Sequence, residues 1–460
     1  MTGAAKTGPG PARPAARHGD RPELPHHREL THMKIVVIGA GSNSFGRGVL
    51  ADLLGEPARG LADLEVCLVD LNPQALDIMT RFAGLLKDHN GSTATITSTT
   101  DRTEALPGAD FVITAVSIQR MALWEQDFRV PQAYGVKHVL GENGGPGALF
   151  HALRSFQLII PICRDIERLC PDALLLNFTN PEARVLHTIL HLTGVRAIGL
   201  CHGVFGLQRL AARLLEIPEE HIELTSAGLN HIFCALSIKD TCDGSEQMPR
   251  MLKMVQEDES VDVPPLYREL ARIYDVLSYP SDDHIGEYFG FAEEFTGRKW
   301  HYGQESRPVT GEQPGESVIA RVLRGEVPIA EVAAPSGEIA VSVIAALQRE
   351  EPMRVAAVNL LNTGPLIDNL PESAAVEVPA LVSRSGIEPL AVGPLPETFA
   401  AHLRLQCDIV ATLTEAYRTR EKRLLLRALL LDPCMQSIRN ARALLDDMLA
   451  LQAAYLPEFQ

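Results

Sequence analysis

A short apolar segment that runs into a glycine turn constrains this chain more than any other feature. Residues 33–38 read as a parallel strand buried on both faces, and Gly39 and Gly41 follow at once. Gly39 permits a tight turn, and Gly41 has no Cβ to block an approaching phosphate. A strand, a glycine turn and a helix together place a dinucleotide pyrophosphate at the helix N-terminus. The segment predicts a Rossmann-type unit.

Asp70, at the end of a second apolar run, strengthens this prediction. An acidic residue in that position hydrogen-bonds the adenosine ribose of the dinucleotide. Asp70 follows Gly41 by 29 residues, whereas about 20 is usual, and the third glycine of the pattern is displaced to Gly46. We predict a dinucleotide site at Gly39, Gly41, Ser42 and Asp70. A buried strand with an ordinary turn is the alternative.

The composition is that of a globular protein with an acidic surface. The 460 residues suffice for two or three domains, and 46% of them are hydrophobic. A formal net charge of −16 argues against nucleic acid and anionic membranes as partners, because their phosphates would be repelled. No apolar run approaches the roughly 20 residues that span a bilayer. No membrane association is expected.

The tail and the cysteines bear on the cellular compartment. Residues 1–32 are rich in Pro, Ala, Arg, His and Gly and lack the apolar core of a secretory signal. They are predicted to be a disordered tail, with Met33 as an alternative start of translation. The eight cysteines form no regular framework, and Cys67, Cys163 and Cys234 lie among apolar residues. Such thiols are typical of a reducing compartment, so the protein is expected to be cytoplasmic.

The first half of the chain alternates short apolar runs with stretches of helical spacing. This alternation is typical of a doubly wound α/β fold with a parallel sheet. The predicted strands are residues 34–38, 64–70, 94–98, 111–115, 173–178 and 195–200, and predicted helices include 74–86 and 148–169.

The pattern changes after residue 203. A helix is predicted at 208–215 and strands at 222–229 and 232–238, and helical and irregular segments run to the end. The last stretch, 406–456, is predicted to form two helices with a break at Asp432 and Pro433. We therefore predict a Rossmann domain at residues 33–203 and an α+β domain at 204–460, with the site between them.

Two polar clusters stand out in the first half. Four glycines within residues 141–147 indicate a backbone that approaches a ligand, although an ordinary surface turn would look similar. Asn180 follows a predicted buried strand, where ligands of such sheets bind. Its side chain can hydrogen-bond a sugar hydroxyl, and a helix start at Pro181 is a compatible role for the same segment.

Cys201, His202 and His231 form a further candidate cluster. Cys201 and His202 follow a predicted strand, but adjacent side chains there point apart, which disfavours a nucleophile–base pair. Cys201 is better suited to be a thiolate metal ligand with a partner from elsewhere. His231 is such a partner, although His231 alone is more simply explained as a buried core histidine. Two protein ligands are too few for structural zinc but suit an open divalent site completed by substrate hydroxyls and water.

Taken in order, these motifs resemble glycoside hydrolase family 4, a family of NAD- and divalent-metal-dependent glycosidases related in fold to lactate and malate dehydrogenases. The matching segments are residues 39–42, 134–136, 144–147, 180–181, 201–203, 228–231, 359–371, 376–379 and 393–396. Each segment is a weak signal alone, and the ordered series is specific. The resemblance covers about residues 33 to 458.

The resemblance implies a redox route in place of two catalytic carboxylates. In the family, NAD takes a hydride from carbon 3 of the sugar, and the resulting ketone acidifies the proton on carbon 2. A base removes that proton, the aglycone leaves carbon 1, water adds and the hydride returns. A divalent cation, usually manganese, stabilises the charge on the oxygens of carbons 2 and 3. The expected activity is hydrolysis of α-glycosides of a neutral hexose or a uronic acid.

The resemblance also assigns residues to roles. Cys201 and His231 match the metal ligands, and Asn180 matches an asparagine that contacts the substrate. His202 takes the place of the acid for the leaving group, and histidine here is typical of members that act on unphosphorylated sugars. Within residues 279–288, which resemble the catalytic loop, the base is expected to be one of two residues, first Asp282 and second Tyr288. A solvated loop is the alternative for Asp282.

The remaining expectations concern specificity and assembly. Asp70 favours NAD over NADP, because a carboxylate repels a 2′-phosphate. Arg120, Arg129 and Arg154 are candidates for binding a uronate, and Arg154, beside the glycine-rich loop, is the one predicted to contact substrate. Family members commonly form dimers or tetramers, so a homodimer or homotetramer is expected. Two rival functions stay open: a 2-hydroxy-acid dehydrogenase with net NADH production, and a non-catalytic NAD-binding sensor.

Overall fold

The chain folds around one large sheet that is flanked by helices. A computed structural model describes residues 31–42, 45–61, 63–297 and 317–460. Its strands are β1 (His32–Ile38), β2 (Asp63–Val69), β3 (Thr95–Thr99), β4 (Phe111–Thr114), β5 (Leu174–Asn177), β6 (Arg196–Gly199), β7 (Ile222–Leu229), β8 (Ile232–Asp240), β9 (Met353–Leu361), β10 (Ala375–Ser383) and β11 (Gly386–Pro389).

The helices are distributed along the whole described chain. They are α1 (Phe45–Leu53), α2 (Pro73–Asn90), α3 (Arg102–Ala105), α4 (Arg120–Ala133), α5 (Gly145–Leu169), α6 (Glu182–Leu192), α7 (Gly203–Leu215), α8 (Met248–Glu257), α9 (Pro265–Tyr274), α10 (Asp282–Ile285), α11 (Glu293–Thr296), α12 (Val318–Leu323), α13 (Ala340–Ala346), α14 (Glu397–Thr419), α15 (Lys422–Leu431) and α16 (Ile438–Leu451). The predicted tail at residues 1–32 lies outside the described residues, except that β1 already begins at His32.

The first six strands confirm the predicted Rossmann unit. They pair in parallel in the order β3-β2-β1-β4-β5-β6, which is the Rossmann order. Both faces of β1 are buried: Ile35 and Val37 belong to one apolar core, and Val36 and Ile38 belong to the core on the opposite face. Double-sided burial explains why the strand is an unbroken apolar run.

The second half extends this same sheet. After β6 the order continues β9-β10-β7-β8, with β11 paired to β10, and β9 lies antiparallel to β6. The α+β character of the second half is confirmed, but the expectation of helical and irregular segments there was wrong for residues 353–389, which form β9 to β11. Residues 353–361 form an apolar run without strict alternation, and such a run does not distinguish strand from helix. The domain boundary at residue 203 stays a prediction.

The C-terminal helices differ partly from the prediction. The break at Asp432 and Pro433 is confirmed, because α15 ends at Leu431 and α16 begins at Ile438. A second break, which was not predicted, follows α14 at Arg420, a residue with φ of 64°. A glycine in the sequence predicts the left-handed conformation that ends many helices, whereas an arginine does not. The result is three helices in place of two.

The expectations about thiols agree with the structure. All eight cysteines are free, and Cys67, Cys163 and Cys234 are buried. Burial raises the pKa of these three thiols, so they are inert apolar side chains of the core. Across the described parts of the chain, no helix combines the length and the apolar character needed to cross a membrane.

Candidate active site

The glycine turn that follows β1, at residues 39–42, is closely packed against its neighbours. Gly39 adopts φ of 92°, and a Cβ there would lie 2.2 Å from the carbonyl oxygen of Ala115, so no larger residue fits. A Cβ at Gly46, the displaced third glycine, would lie 2.4 Å from the oxygen of Ala40. Gly46 therefore permits the close packing of α1 on the turn that the third glycine normally provides.

Asp70 stabilises this turn from the end of β2. Its Oδ2 accepts a hydrogen bond from the backbone N–H of Gly41 at 2.8 Å, and its Oδ1 accepts one from Asn72 at 2.9 Å. Ser42 Oγ accepts the N–H of Phe45 at 3.2 Å, which satisfies a free donor at the start of α1. The four predicted cofactor-binding residues thus form one hydrogen-bonded unit at the helix N-terminus.

A cavity of about 750 Å³ runs along the carboxyl ends of the parallel strands. It begins at Ser42 beside the glycine turn and extends to the loop between β7 and β8. Its wall contains five residues that were predicted for the site: Ser42, Asn180, Cys201, His202 and His231. One elongated cavity therefore joins the predicted dinucleotide site to the predicted metal ligands, as a dinucleotide that reacts with a metal-bound substrate requires.

Cys201 and His231 are in contact in the wall of this cavity. Cys201 Sγ lies 3.5 Å from His231 Nε2, although the residues follow different strands. His231 occupies the two-residue turn of the β7–β8 hairpin with φ of 69°, a conformation that non-glycine residues adopt at a cost of about 1–3 kcal/mol. A positive φ is usual for a central residue of a tight hairpin turn, so this conformation follows from the turn and carries no evidence about a ligand role.

The protonation state of His231 suits a cation, whereas Cys201 must lose a proton to bind one. Burial lowers the pKa of His231 well below its ordinary value, and nearby His284 and His202 add to this effect. The imidazole is therefore neutral, which is the form that binds metals. Burial raises the pKa of the Cys201 thiol to about 12. Among the described residues no group of three or more His, Cys, Asp or Glu side chains could hold a metal, so any cation here would also need ligands from substrate or water.

His202 is hydrogen-bonded to the carboxylate of Glu338, a residue that the sequence patterns did not indicate. Its Nδ1 lies 2.9 Å from Glu338 Oε1, and this hydrogen bond is the main reason that the pKa of His202 is raised. Glu338 is 136 residues away in the chain. Its segment is fixed because Ser336 donates its N–H, at 2.8 Å, and its hydroxyl to buried Asp52 of α1.

The glycine-rich loop 141–147 contributes to the cavity wall through a side chain. Glu287 Oε1 accepts the N–H groups of Glu142 at 2.6 Å and Asn143 at 2.9 Å, which fixes the loop. The Glu142 carboxylate lines the cavity and pairs with Arg120 at 2.6 Å. Burial acts to raise the pKa of Glu142, but Arg120 and His151 outweigh it, and the pKa is lowered.

Arg154, which was predicted to contact substrate, does not line this cavity. Its guanidinium donates to both carboxylate oxygens of Asp127, at 2.9 and 2.5 Å, and to Gln452 at 2.6 Å, and it is only 4% exposed. This charge holds α4, α5 and the C-terminal segment together. Arg154 does line a small adjoining pocket together with Arg120, Glu142 and His151, which also line the cavity, so its substrate role stays a prediction.

Neither of the two candidates for the base lines the cavity. Asp282 accepts the N–H groups of Leu266 and Tyr267, each at 2.9 Å, and so caps the start of α9. The Tyr288 hydroxyl donates to the carbonyl of Asn230 at 3.3 Å behind the site. Burial, followed by the charge of Glu287, raises the pKa of Tyr288 well above its ordinary value.

Tyr279 and His284 line the cavity in their place. Their rings stack with centroids 5.0 Å apart, and both lie against the ring of His231, at 5.2 and 4.9 Å. A Cβ at Gly203 would lie 2.4 Å from the Tyr279 ring, so this glycine, next to His202, makes room for the tyrosine. The sequence signalled this segment as a whole but not which of its side chains faces the site.

Comparison with known proteins then decides the family. A model described as family 4 glycosyl hydrolase matches residues 34–217, and the model of its C-terminal domain matches residues 226–435. An alpha-glucosidase of Erwinia rhapontici is 30% identical over 92% of this chain and 98% of its own length. The chain belongs to glycoside hydrolase family 4. The resemblance stated from the motifs is confirmed.

Two further relatives agree with this family 4 assignment. An alpha-galactosidase of Bacillus subtilis (strain 168) is 30% identical over 93% of this chain and all of its own. The crystal structure of a 6-phospho-alpha-glucosidase from gut microorganisms, in complex with NAD and Mn2+, superimposes with a TM-score of 0.77 at 20% identity, covering 93% of this chain and 100% of that one. The superposition confirms the fold of this family 4 hydrolase.

Proposed function

We propose that this family 4 hydrolase is an α-glycosidase for a neutral hexose or a uronic acid and that it works by redox elimination. The supporting observation is the single cavity that joins a Rossmann glycine turn to the facing Cys201 and His231. A hydrolase with an ordinary acid–base mechanism needs no dinucleotide site. Relatives named alpha-glucosidase and alpha-galactosidase favour an α-linked substrate.

The residues of the site fit NAD and a divalent cation. Gly39, Gly41, Ser42 and Asp70 would hold the dinucleotide, and Cys201 and His231 would ligate the cation with help from substrate oxygens. A related structure contains both NAD and Mn2+. When bound, NAD would accept and return a hydride at carbon 3, and the cation would stabilise negative charge on the oxygens of carbons 2 and 3.

The protein's own groups would bind and move protons. Asn180 at the cavity wall would hydrogen-bond a sugar hydroxyl. His202, kept protonated by Glu338, would donate a proton to the departing aglycone. For the base at carbon 2, Asp282 and Tyr288 remain the candidates from sequence, but the geometry favours Tyr279, which lines the cavity beside His231. A base must reach the proton that it removes.

A panel of nitrophenyl α- and β-glycosides tests the function directly. We expect hydrolysis of an α-hexoside or α-uronide in the presence of NAD, Mn2+ and a thiol reductant, with no net absorbance change from NADH. Activity that survives both chelation and removal of NAD would contradict the proposal. Net NADH formation from a 2-hydroxy acid would favour the dehydrogenase instead, and tight NAD binding without any hydrolysis would favour the sensor.

Binding of Mn2+ is expected to strengthen as the pH rises. The metal-free site holds a Cys201 thiol with a pKa of about 12 and a neutral His231, so ligation releases one proton from the thiol. Below that pKa, affinity should rise about tenfold per pH unit. Calorimetry in two buffers of different ionisation enthalpy measures the released proton. An affinity independent of pH would exclude thiolate ligation.

The Glu338→Gln variant is expected to shift the pH profile of hydrolysis. Because Glu338 raises the pKa of His202, the protonated acid persists to higher pH in the wild type. Loss of the carboxylate should move the alkaline limb of kcat down by about one pH unit. The matched control is Glu331→Gln, since Glu331 also lines the cavity but is exposed. Identical profiles for both variants would rule out the His202–Glu338 pairing as the acid.

Variants of the three base candidates should separate their roles. We expect Tyr279→Phe to abolish exchange of the carbon 2 proton with solvent while it retains the stack on His284. Asp282→Asn should keep exchange and lose about 1 kcal/mol of unfolding free energy, because its carboxylate caps α9. NMR of the sugar and denaturant unfolding measure the two effects. If exchange persists in Tyr279→Phe and fails in Asp282→Asn or in Tyr288→Phe, the base is the residue whose substitution stops the exchange.

A further inference from the structure

A row of four residues crosses the antiparallel part of the sheet beneath the Cys201–His231 pair. Gly199 of β6 pairs with Asn359 of β9, Asn359 pairs with Glu377 of β10, and Glu377 pairs with Gly228 of β7. The two outer strands are those that carry the pair: Cys201 follows Gly199 by two residues, and His231 follows Gly228 by three. Glu377 therefore lies between the two strand ends.

One oxygen of Glu377 connects both sides of this row. Glu377 Oε2 accepts N–H bonds from Asn230 Nδ2 and from Asn359 Nδ2, each at 3.1 Å. Asn359 Nδ2 also approaches the carbonyl of Gly199 at 3.4 Å, just before Cys201. Asn230 immediately precedes His231 in the chain. The carboxylate thereby ties the segment of Cys201 to that of His231.

Burial raises the pKa of the Glu377 carboxyl, so its ionised form is costly unless a positive charge lies nearby. Glu377 is 2% exposed, and so is Glu182 of α6, whose charge is close enough to be coupled to that of Glu377. A Cβ on Gly199 would lie 1.6 Å from Glu182 Oε1, so Glu182 packs directly on the row. Within the ranges that the structure describes, Glu182 has no hydrogen-bond partner for either oxygen, and no ion pair includes Glu182 or Glu377.

A purely structural network explains this arrangement poorly. Buried carboxylates without a positive partner are costly, and apolar residues of similar volume would serve the core better. A divalent cation held by Cys201 and His231 would supply the positive charge next to this row. Carboxylates behind a metal site commonly hydrogen-bond the ligands and so orient them; here Glu377 hydrogen-bonds Asn230, the residue before His231.

We propose that Glu377 is a positioning residue of the metal site: through Asn230 and Asn359 it holds Cys201 and His231 face to face, and its negative charge favours the cation. The inference rests on the proposed function, which supplies the cation. Glu377 is not proposed to contact the substrate. It follows that metal affinity depends on a residue that does not bind the metal itself but hydrogen-bonds a neighbour of a ligand.

Cobalt(II) binding to the full chain, followed by absorption spectroscopy, tests this role. The thiolate-to-cobalt band in the near ultraviolet reports the bond to Cys201 independently of activity. Glu377→Gln keeps the size of the side chain and removes its charge, and we expect its Co2+ affinity to fall about 10- to 100-fold, with a weaker or displaced band. NAD affinity should stay unchanged. The matched control is Glu388→Gln in β11, since Glu388 is exposed on the same sheet.

The outcomes separate this inference from the proposed function. A wild-type protein with no cobalt–thiolate band would contradict the metal site itself. A wild-type band together with the same affinity and spectrum in Glu377→Gln would overturn only the role of Glu377. Should circular dichroism show that Glu377→Gln is misfolded, Asn230→Ser carries the test, because it removes the amide that donates to Glu377 and keeps Glu377 itself. Unchanged cobalt affinity in that variant would also overturn the inference.

Discussion

The Cys201→Ser variant is expected to lose nearly all hydrolysis. The substitution removes the thiolate that faces His231 at 3.5 Å and leaves a single protein ligand. Metal ions supply several kcal/mol of transition-state stabilisation, and about 4 kcal/mol corresponds to a fall in kcat/KM of roughly 1,000-fold. Mn2+ affinity should fall at least about 100-fold. Steady-state kinetics at saturating NAD and a metal titration measure the two effects.

A matched control exists in the same chain. Cys242 is an exposed free thiol whose sulfur lies 3.1 Å from His221 Nδ1, so Cys242→Ser removes the thiol of a second Cys–His pair outside the cavity. We expect this variant to behave as the wild type. Full activity in Cys201→Ser, or equal losses in both variants, would show that Cys201 is not a ligand.

The Gly39→Ala variant is expected to lose NAD binding. Alanine would have to adopt φ of 92° with its Cβ 2.2 Å from the Ala115 carbonyl oxygen, so the turn must move. That movement would break the bond between Gly41 and Asp70 that shapes the turn. Strain of about 1–3 kcal/mol corresponds to an NAD affinity lower by roughly 5- to 150-fold. Fluorescence titration with NADH measures the affinity for the dinucleotide.

Gly91→Ala is the control for backbone strain alone. Gly91 ends α2 with φ of 65°, and nothing lies within 4 Å of its added Cβ. Alanine there should cost about 1–2 kcal/mol of stability and leave NAD affinity unchanged. If Gly39→Ala bound NAD as tightly as Gly91→Ala does, the glycine turn would not be the dinucleotide site.

The parallel half of the fold was predictable because its local signals agree with its tertiary role. β1, β2, β4, β5 and β6 are buried on both faces, so each is an apolar run, whereas the edge strand β3 (Thr95–Thr99) is mostly polar and exposed. β9 and β10 are also apolar, but they follow a stretch without a comparable βα alternation. Their assignment depends on pairing with β6 and β7 across more than 100 residues, and that pairing is not a local property of the sequence.

The same difference separates the site residues that could be predicted from those that could not. Cys201 and Asn180 stand directly after strands, where the α/β rule places ligands. Glu338 reaches His202 from a segment with no motif of its own, and no spacing indicates that contact. Asp282 and Arg154 have suitable chemistry. However, Asp282 already caps the N-terminus of α9, and Arg154 is already paired with buried Asp127. Sequence patterns identify the segment, whereas packing decides which way each side chain points.

Hydrolysis of the best α-glycoside in D2O, followed by NMR of the released sugar, tests the central claim most directly. Removal of the carbon 2 proton before the aglycone leaves requires that the product carry deuterium on carbon 2, with no net NADH and no reaction in NAD-free protein. Direct displacement at carbon 1 leaves carbon 2 untouched. A product without deuterium, formed at an undiminished rate by NAD-free protein, would contradict the redox mechanism.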